Sequence, residues 1–143
     1  MSIVIRPLAD EDIPDVVHLW HDVGLTRPWN DPHEDIRRAR SVWPDLLLVA
    51  EDRPGAGLVG TVMAGYDGHR GWLSYLASAP GRRGEGIGRA LVAEAEVRLT
   101  ALGCPKVMLM VRAENDAVID FYRADGYAVN DVAVLGKRLI PDE

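Results

Sequence analysis

Cysteine is nearly absent. The 143 residues hold one, which excludes a disulfide framework and a cysteine-rich zinc site. No run of about 18 apolar residues occurs, so no membrane-spanning helix and no membrane partner are expected. Met1-Ser2-Ile3-Val4-Ile5-Arg6 lacks the basic-then-apolar order of a secretory leader, so the expected location is cytoplasmic. There is no internal repeat, low-complexity tract or long linker. Positive charge is also short: 16 basic residues stand against 22 acidic ones, for a net −6. That sign repels a phosphate backbone, so nucleic acid is not an expected partner. An anionic ligand needs a local exception to this field.

What is present is ordinary for a globular chain: 48% hydrophobic and 27% charged residues. The length fits one domain, residues 1–143. Residues 2–6 read as a strand that Pro7 ends. Asp10-Glu11-Asp12 place acids at a helix start, and Ile13, Val16, Val17, Trp20 and Val23 follow at helical spacing up to Gly24. Asp31 reads as the cap of a second helix with Pro32 at its first position, running to about Ser41. Strands are expected at 45–51, 58–66 and 72–78, the last two joined by the loop Asp67-Gly68-His69-Arg70-Gly71. Ile87, Leu91, Ala95, Leu99 and Leu102 form one helical stripe. The apolar run at 107–111 reads as a central buried strand, residues 115–125 as a short helix, and 127–129 and 134–140 as two last strands. The order β-α-α-β-β-β-α-β-α-β-β predicts a single α/β domain with a mixed sheet.

The informative segment is the strand, glycine-rich loop, helix and strand spanning 72–111, a parallel crossover unit. Arg83-Gly84-Glu85-Gly86-Ile87-Gly88 stand at its first junction. Amides at a helix start have no intrahelical partner and favour an anion, commonly a phosphate. The loop has no lysine for a P-loop, and its alternating glycines do not space like a dinucleotide fingerprint. A glycine turn that only eases helix packing fits the spacing equally well.

Arg83-x-x-Gly86-x-Gly88 resembles the Arg/Gln-x-x-Gly-x-Gly/Ala motif of the GNAT superfamily of acetyl-CoA-dependent N-acetyltransferases. The likeness extends to Ile5-Arg6-Pro7-Leu8-Ala9-Asp10-Glu11-Asp12, Val59-Gly60-Thr61-Val62-Met63 and Leu76-Ala77-Ser78-Ala79-Pro80. It also covers Asn115, Phe121-Tyr122 and Asp125-Gly126-Tyr127. Residues 27–32 and 67–71 resemble a bacterial subgroup whose acceptor the likeness does not name. The departures are Ala77-Ser78, where a bulkier pair is common, and Gly81, where a larger residue is. The resemblance implies a mixed, mostly antiparallel sheet with a central parallel pair of splayed strands and flanking helices.

It further implies that acetyl-CoA is the cosubstrate, with no metal. Its pyrophosphate would sit on the amides of Gly84, Glu85, Gly86, Ile87 and Gly88, with Arg83 in the same cofactor-binding set. Arg82, Arg83 and Arg89 against Glu85 would supply local positive charge. The pantetheine arm would pair with Leu76, Ala77 and Ser78 like an added strand, and Asn115 would complete the cofactor set. Tyr122 matches the family's general acid. A tyrosine of pKa about 10 protonates a thiolate of conjugate pKa about 8.5 uphill by about 2 kcal/mol, so it would mainly donate a hydrogen bond. The amine's proton could go to Asp67, His69, Glu51, Glu114 or a water chain, with Asp67 carried as the catalytic candidate although Asp67-Gly68 is equally a turn pair.

The implied activity moves acetyl to a primary amine on a small molecule or peptide. The alternative is a non-catalytic acyl-CoA-binding regulatory module. A third reading, a nucleotide-phosphate enzyme of another fold, predicts ATP or NAD binding. Trp29 and Asn30 either line the acceptor site or hold the core and turn. His18 and His21 could share a metal, but a solvated helix face is the simpler reading. Cys104 reads as a small buried hydrophobe rather than an acyl carrier. The apolar residues 132–140 either pair with a second copy, giving a homodimer, or form the sheet's own edge.

Overall fold

A computed structural model describes residues 3–142. Val4–Pro7 (β1) leads through a 3-10 turn at Asp10–Asp12 into Ile13–Asp22 (α1). Pro32–Val42 (α2), Leu47–Glu51 (β2), Leu58–Tyr66 (β3) and Gly71–Ser78 (β4) follow. Ile87–Ala101 (α3), Val107–Leu109 (β5) and Asp116–Ala124 (α4) complete the regular structure. β1 ends on Pro7, as expected, and it is an edge strand, where a missing N–H costs no ladder bond.

The sheet runs β1-β2-β3-β4-β5, antiparallel except for the parallel pair β4–β5. All of β2 is buried, because helices cover both faces of the sheet. Leu46, Leu48 and Ala50 face one core layer with Leu91, Val92, Ala95 and Leu99 of α3. Leu47 and Val49 face the other, with Val16, Leu19 and Trp20 of α1 and Ile36 of α2. The β1 end is fastened by Arg6, which bonds Asp12 at 2.6 Å and the buried Glu51 at 2.9 Å.

Two expectations change. The parallel pair stands at the end of the sheet rather than its centre, because nothing pairs with the outer edge of β5 among the described residues. The strands expected at 127–129 and 134–140 do not form, and residues 128–141 are exposed in irregular backbone. Strand propensity names an apolar alternation but not its partner, and an edge of three residues offers few rungs to join.

Candidate active site

Register decides the geometry of β4. Met63 pairs with Ser74 and Thr61 with Ala77, so Val62 alone faces Tyr75 and Leu76. One extra residue in β4 makes a bulge, and Tyr75 takes a φ of 51°, which a residue with a Cβ rarely adopts. Beyond the bulge the side-chain alternation is reset. Tyr75 and Ala77 pack on the α1–α2 face, and Leu76 on the α3–α4 face.

On its other side, β4 meets β5 only through Gly71–Val107, Trp72–Met108 and Leu73–Leu109. From Ser74 to Ser78 that edge carries no strand among the described residues. Pairing between β4 and β5 therefore stops where the bulge begins.

The loop after β4 passes a 3-10 turn at Pro80–Arg82, and Arg83 is extended. Gly84 and Gly86 have φ of 84° and 83°. Both lie in the left-handed region that glycine alone enters freely, which explains their alternation with side-chain residues. Gly86 is the N-cap of α3 and brings no side chain to cap it. The first backbone bond is donated by Ala90 to the Gly86 carbonyl, at 3.0 Å. Among the described residues, the amides of 84–89 donate to no backbone carbonyl. Ile87 is buried and anchors the helix start in the core.

Gly88 faces the free edge. A Cβ there would lie 3.6 Å from Phe121 Cζ, 3.7 Å from Ser78 Oγ and 3.9 Å from Leu76 Cδ2. The end of β4, the start of α3 and the middle of α4 therefore converge, and seven of the expected residues (Leu76, Ser78, Gly84, Glu85, Gly86, Ile87, Gly88) line one short stretch of chain. Ala77 is buried on the other face.

The arginines behave differently from expectation. Arg82 bonds both Asp52 oxygens, at 2.6 and 2.8 Å, and Glu85 at 2.9 Å. Arg89 lies 3.5 Å from Asp125 and over the Phe121 ring at 5.6 Å. Arg82 and Arg89 thus face three acidic groups, Asp52, Glu85 and Asp125, rather than Glu85 alone. Amides at a helix start favour an anion irrespective of such side-chain balance.

Tyr122 is 7% exposed and packs edge-to-face on Phe121 and Tyr127, at 5.1 and 5.4 Å between centroids. Burial first and Asp125 second push its hydroxyl up to about 12. Tyr122 lines a cleft of about 1340 Å³ between β5, α4 and residues 126–134. Asn115 caps α4, its side-chain oxygen accepting from Val118 N at 3.4 Å.

The base candidates separate on geometry. Asp67 belongs to the turn: Oδ1 accepts from His69 N at 2.8 Å and Arg70 N at 2.7 Å, and Oδ2 from Trp72 Nε1 at 3.2 Å. Those bonds hold its pKa below the usual carboxylate range. It also lies beyond the Gly71 end of β4, about 23 Å of strand from Ser78 at about 3.3 Å per residue. Glu51 is occupied by Arg6. His18 lies 3.1 Å from Asp22, and His21 3.2 Å from Thr26, so the two histidines have separate partners. Cys104 packs where a Gly71 Cβ would be, 2.8 Å away, remote from the loop. Trp29 is 51% exposed and does not plug the core, whereas Asp31 caps α2 through His33 N at 2.9 Å. Sequence reasoning missed Asp35 and Tyr75, which meet across the α2–β4 interface at 2.6 Å. A doubled apolar pair, Tyr75-Leu76, was the available sign of the bulge.

Comparison with known proteins gives the same picture at chain length. A model of the acetyltransferase (GNAT) family matches residues 14–127. An acetyltransferase of Sodalis glossinidius is 49% identical over 140 residues, 97% of each chain. Among solved structures, Ard1 from Thermoplasma volcanium has a TM-score of 0.80 at 23% identity, covering 91% of this chain and 85% of its own. The NatC complex bound to Gag peptide and CoA has a TM-score of 0.74 at 27% identity, covering 87% and 84%. With a bulged, half-free β4 leading into uncapped amides, and with near-half identity along its whole length to a named acetyltransferase, the chain belongs to the GNAT acetyltransferase family.

Proposed function

We propose that this acetyltransferase takes acetyl from acetyl-CoA and gives it to a primary amine by direct attack in a ternary complex. The observation that carries the reading is the edge of β4 from Ser74 to Ser78, which pairs with no strand among the described residues and runs straight into a loop whose amides donate to no backbone carbonyl. An edge of that kind accepts a chain of amides as it would a strand. Coenzyme A presents such a chain, the pantetheine arm, next to a pyrophosphate.

In this reading Leu76 to Ser78 hold the arm by main-chain bonds, and Arg83 to Gly88 hold the diphosphate. Asn115 orders the start of α4 and thereby the placement of Phe121 and Tyr122. The amine nitrogen forms a bond to the thioester carbonyl carbon, the carbon–sulfur bond breaks, and sulfur leaves as a thiolate. Tyr122 donates a hydrogen bond to that sulfur. Its raised pKa makes full proton transfer still less favourable, so stabilisation rather than protonation is its role. In this reading the nitrogen's proton passes to water, with Asp67 and Glu51 committed to other partners. The NatC neighbour was solved with a peptide and CoA, which favours an amine acceptor of peptide or small-molecule type.

The test mixes the protein with acetyl-CoA and a panel of primary amines and follows free thiol. Amine-dependent thiol release is expected. Binding of acetyl-CoA without transfer to any amine would return the non-catalytic module, and thermal stabilisation by ATP or NAD instead would overturn the reading altogether.

A further inference from the structure

Asp12 and Glu51 are buried at the β1 end of the sheet, and Arg6 neutralises both. Thr61 in β3 is a buried polar side chain of another kind. It is 0% exposed, and its hydroxyl has no part in the acetyl transfer described above.

Thr61 pairs with Ala77 in the register, but its side chain reaches back along β4 to the bulge. Thr61 Oγ1 donates to the Tyr75 carbonyl at 2.9 Å and accepts from Trp20 Nε1 at 2.8 Å. An indole N–H can only donate, so the direction of both bonds is fixed and the one hydroxyl proton is left for the carbonyl. Tyr75 itself is paired with no β3 residue, as befits the extra residue of a bulge.

Tyr75 also keeps its φ of 51°, a conformation that a residue with a Cβ holds only where its surroundings impose it. Trp20 stacks on the Tyr75 ring, with centroids 3.8 Å apart and 16° between planes. Asp35 takes the hydroxyl at the far end of the same side chain. Trp20, fully buried on α1, thus touches the ring directly and the carbonyl through Thr61.

The Tyr75 carbonyl and the Leu76 N–H belong to one planar peptide unit. No peptide bond among the described residues is cis, so the two groups point in opposite directions. Drawing the carbonyl to Thr61 therefore turns the Leu76 N–H away from Thr61. This happens where pairing of β4 with β5 has just stopped, at Leu73–Leu109.

We propose that Thr61 is a positioning residue for the cofactor edge: its hydroxyl, aimed by Trp20, locks the peptide between Tyr75 and Leu76 so that residues 76–78 meet the arm of acetyl-CoA at the required angle. This rests on the reading that the arm lies along β4.

Thr61→Val keeps the shape and removes the hydroxyl, whereas Thr61→Ser keeps the hydroxyl and removes the methyl group. Acetyl-CoA affinity is measured by calorimetry at a temperature where circular dichroism shows each variant folded, with the melting temperature beside it. Val16→Ala, in the same core layer against α1 and α2, controls for lost stability alone. The expected result is a Kd for acetyl-CoA raised roughly tenfold in Thr61→Val, within about threefold of wild type in Thr61→Ser, and unchanged in Val16→Ala although it melts lower. Wild-type affinity in Thr61→Val overturns the proposal. So does Thr61→Ser as weak as Thr61→Val, or Val16→Ala losing affinity in step with melting temperature, since either makes Thr61 a packing residue. Should Thr61→Val not fold, Trp20→Phe decides, because it keeps a ring on Tyr75 and frees the hydroxyl to turn from the carbonyl. A raised Kd there supports the proposal and an unchanged Kd overturns it. Wild type that binds no acetyl-CoA would overturn the reading beneath, and the proposal with it.

Discussion

Tyr122 keeps its proton because its hydroxyl sits in a buried aromatic cluster beside Asp125, which raises its pKa to about 12. The donating form is thus complete at every lower pH, and kcat should show no descending limb from this group below about pH 11. Tyr122→Phe should lower kcat by roughly tenfold to a thousandfold and leave acetyl-CoA affinity in place. An unaltered kcat removes Tyr122 from the chemistry. Asp12 works in the opposite direction. The Arg6 hydrogen bond is the largest cause of its lowered pKa, so its contribution is present above the unfolded value and fades as pH falls through the folded one. Asp12→Asn should cost about 1–3 kcal/mol at pH 7, with the gap to wild type narrowing in acid, read by urea unfolding at both pH values. Single residues were the least legible part of the sequence. Asp67 could be recognised as a turn former from Asp-Gly, yet nothing local distinguished that from a base. The Asp35–Tyr75 bond joins positions 40 apart, a separation no spacing rule reaches.

Elements were more legible because their signals are local. The stripe from Ile87 to Leu99 marked α3, and the glycines before it marked its start. Gly60 shows why the crossover packs so closely. A Cβ there would meet Ile87 Cγ2 at 2.8 Å, the Ala77 carbonyl at 2.9 Å and Leu91 Cδ1 at 2.9 Å. The carbonyl is backbone and cannot swing aside, so Gly60→Ala should destabilise by about 1–3 kcal/mol in chemical unfolding. Gly86→Ala meets no atom within 4 Å but inherits a φ of 83°. It should cost about 1–2 kcal/mol and raise the KM for acetyl-CoA, because relief of the strain moves the loop amides. Gly81→Ala, with neither constraint, serves as the neutral control. The β4 bulge and the missing final strands escaped the sequence for one shared reason. Both depend on which strand lies alongside, and alternation along one strand carries no address for its neighbour.

At the scale of the whole molecule, a chain of net −6 carries the proposed anion site where Arg82 and Arg89 are paired with Asp52, Glu85 and Asp125. The apolar residues beyond α4 are the other global feature. Leu135 is 92% and Leu139 84% exposed. Side chains of that kind in open solvent mark an association surface. We expect a dimer by sedimentation that the double variant Leu135→Lys, Leu139→Lys converts to monomer; a wild-type monomer would mean that the segment closes on its own β5 edge. The central claim, a diphosphate on the loop amides and an arm along β4, is tested most directly by amide NMR during addition of acetyl-CoA. The account predicts that signals of residues 84–88 and 76–78 move together while those of the 67–70 turn stay fixed. Movement confined to the cleft between β5 and residues 126–134, or no movement at saturating acetyl-CoA, would contradict it.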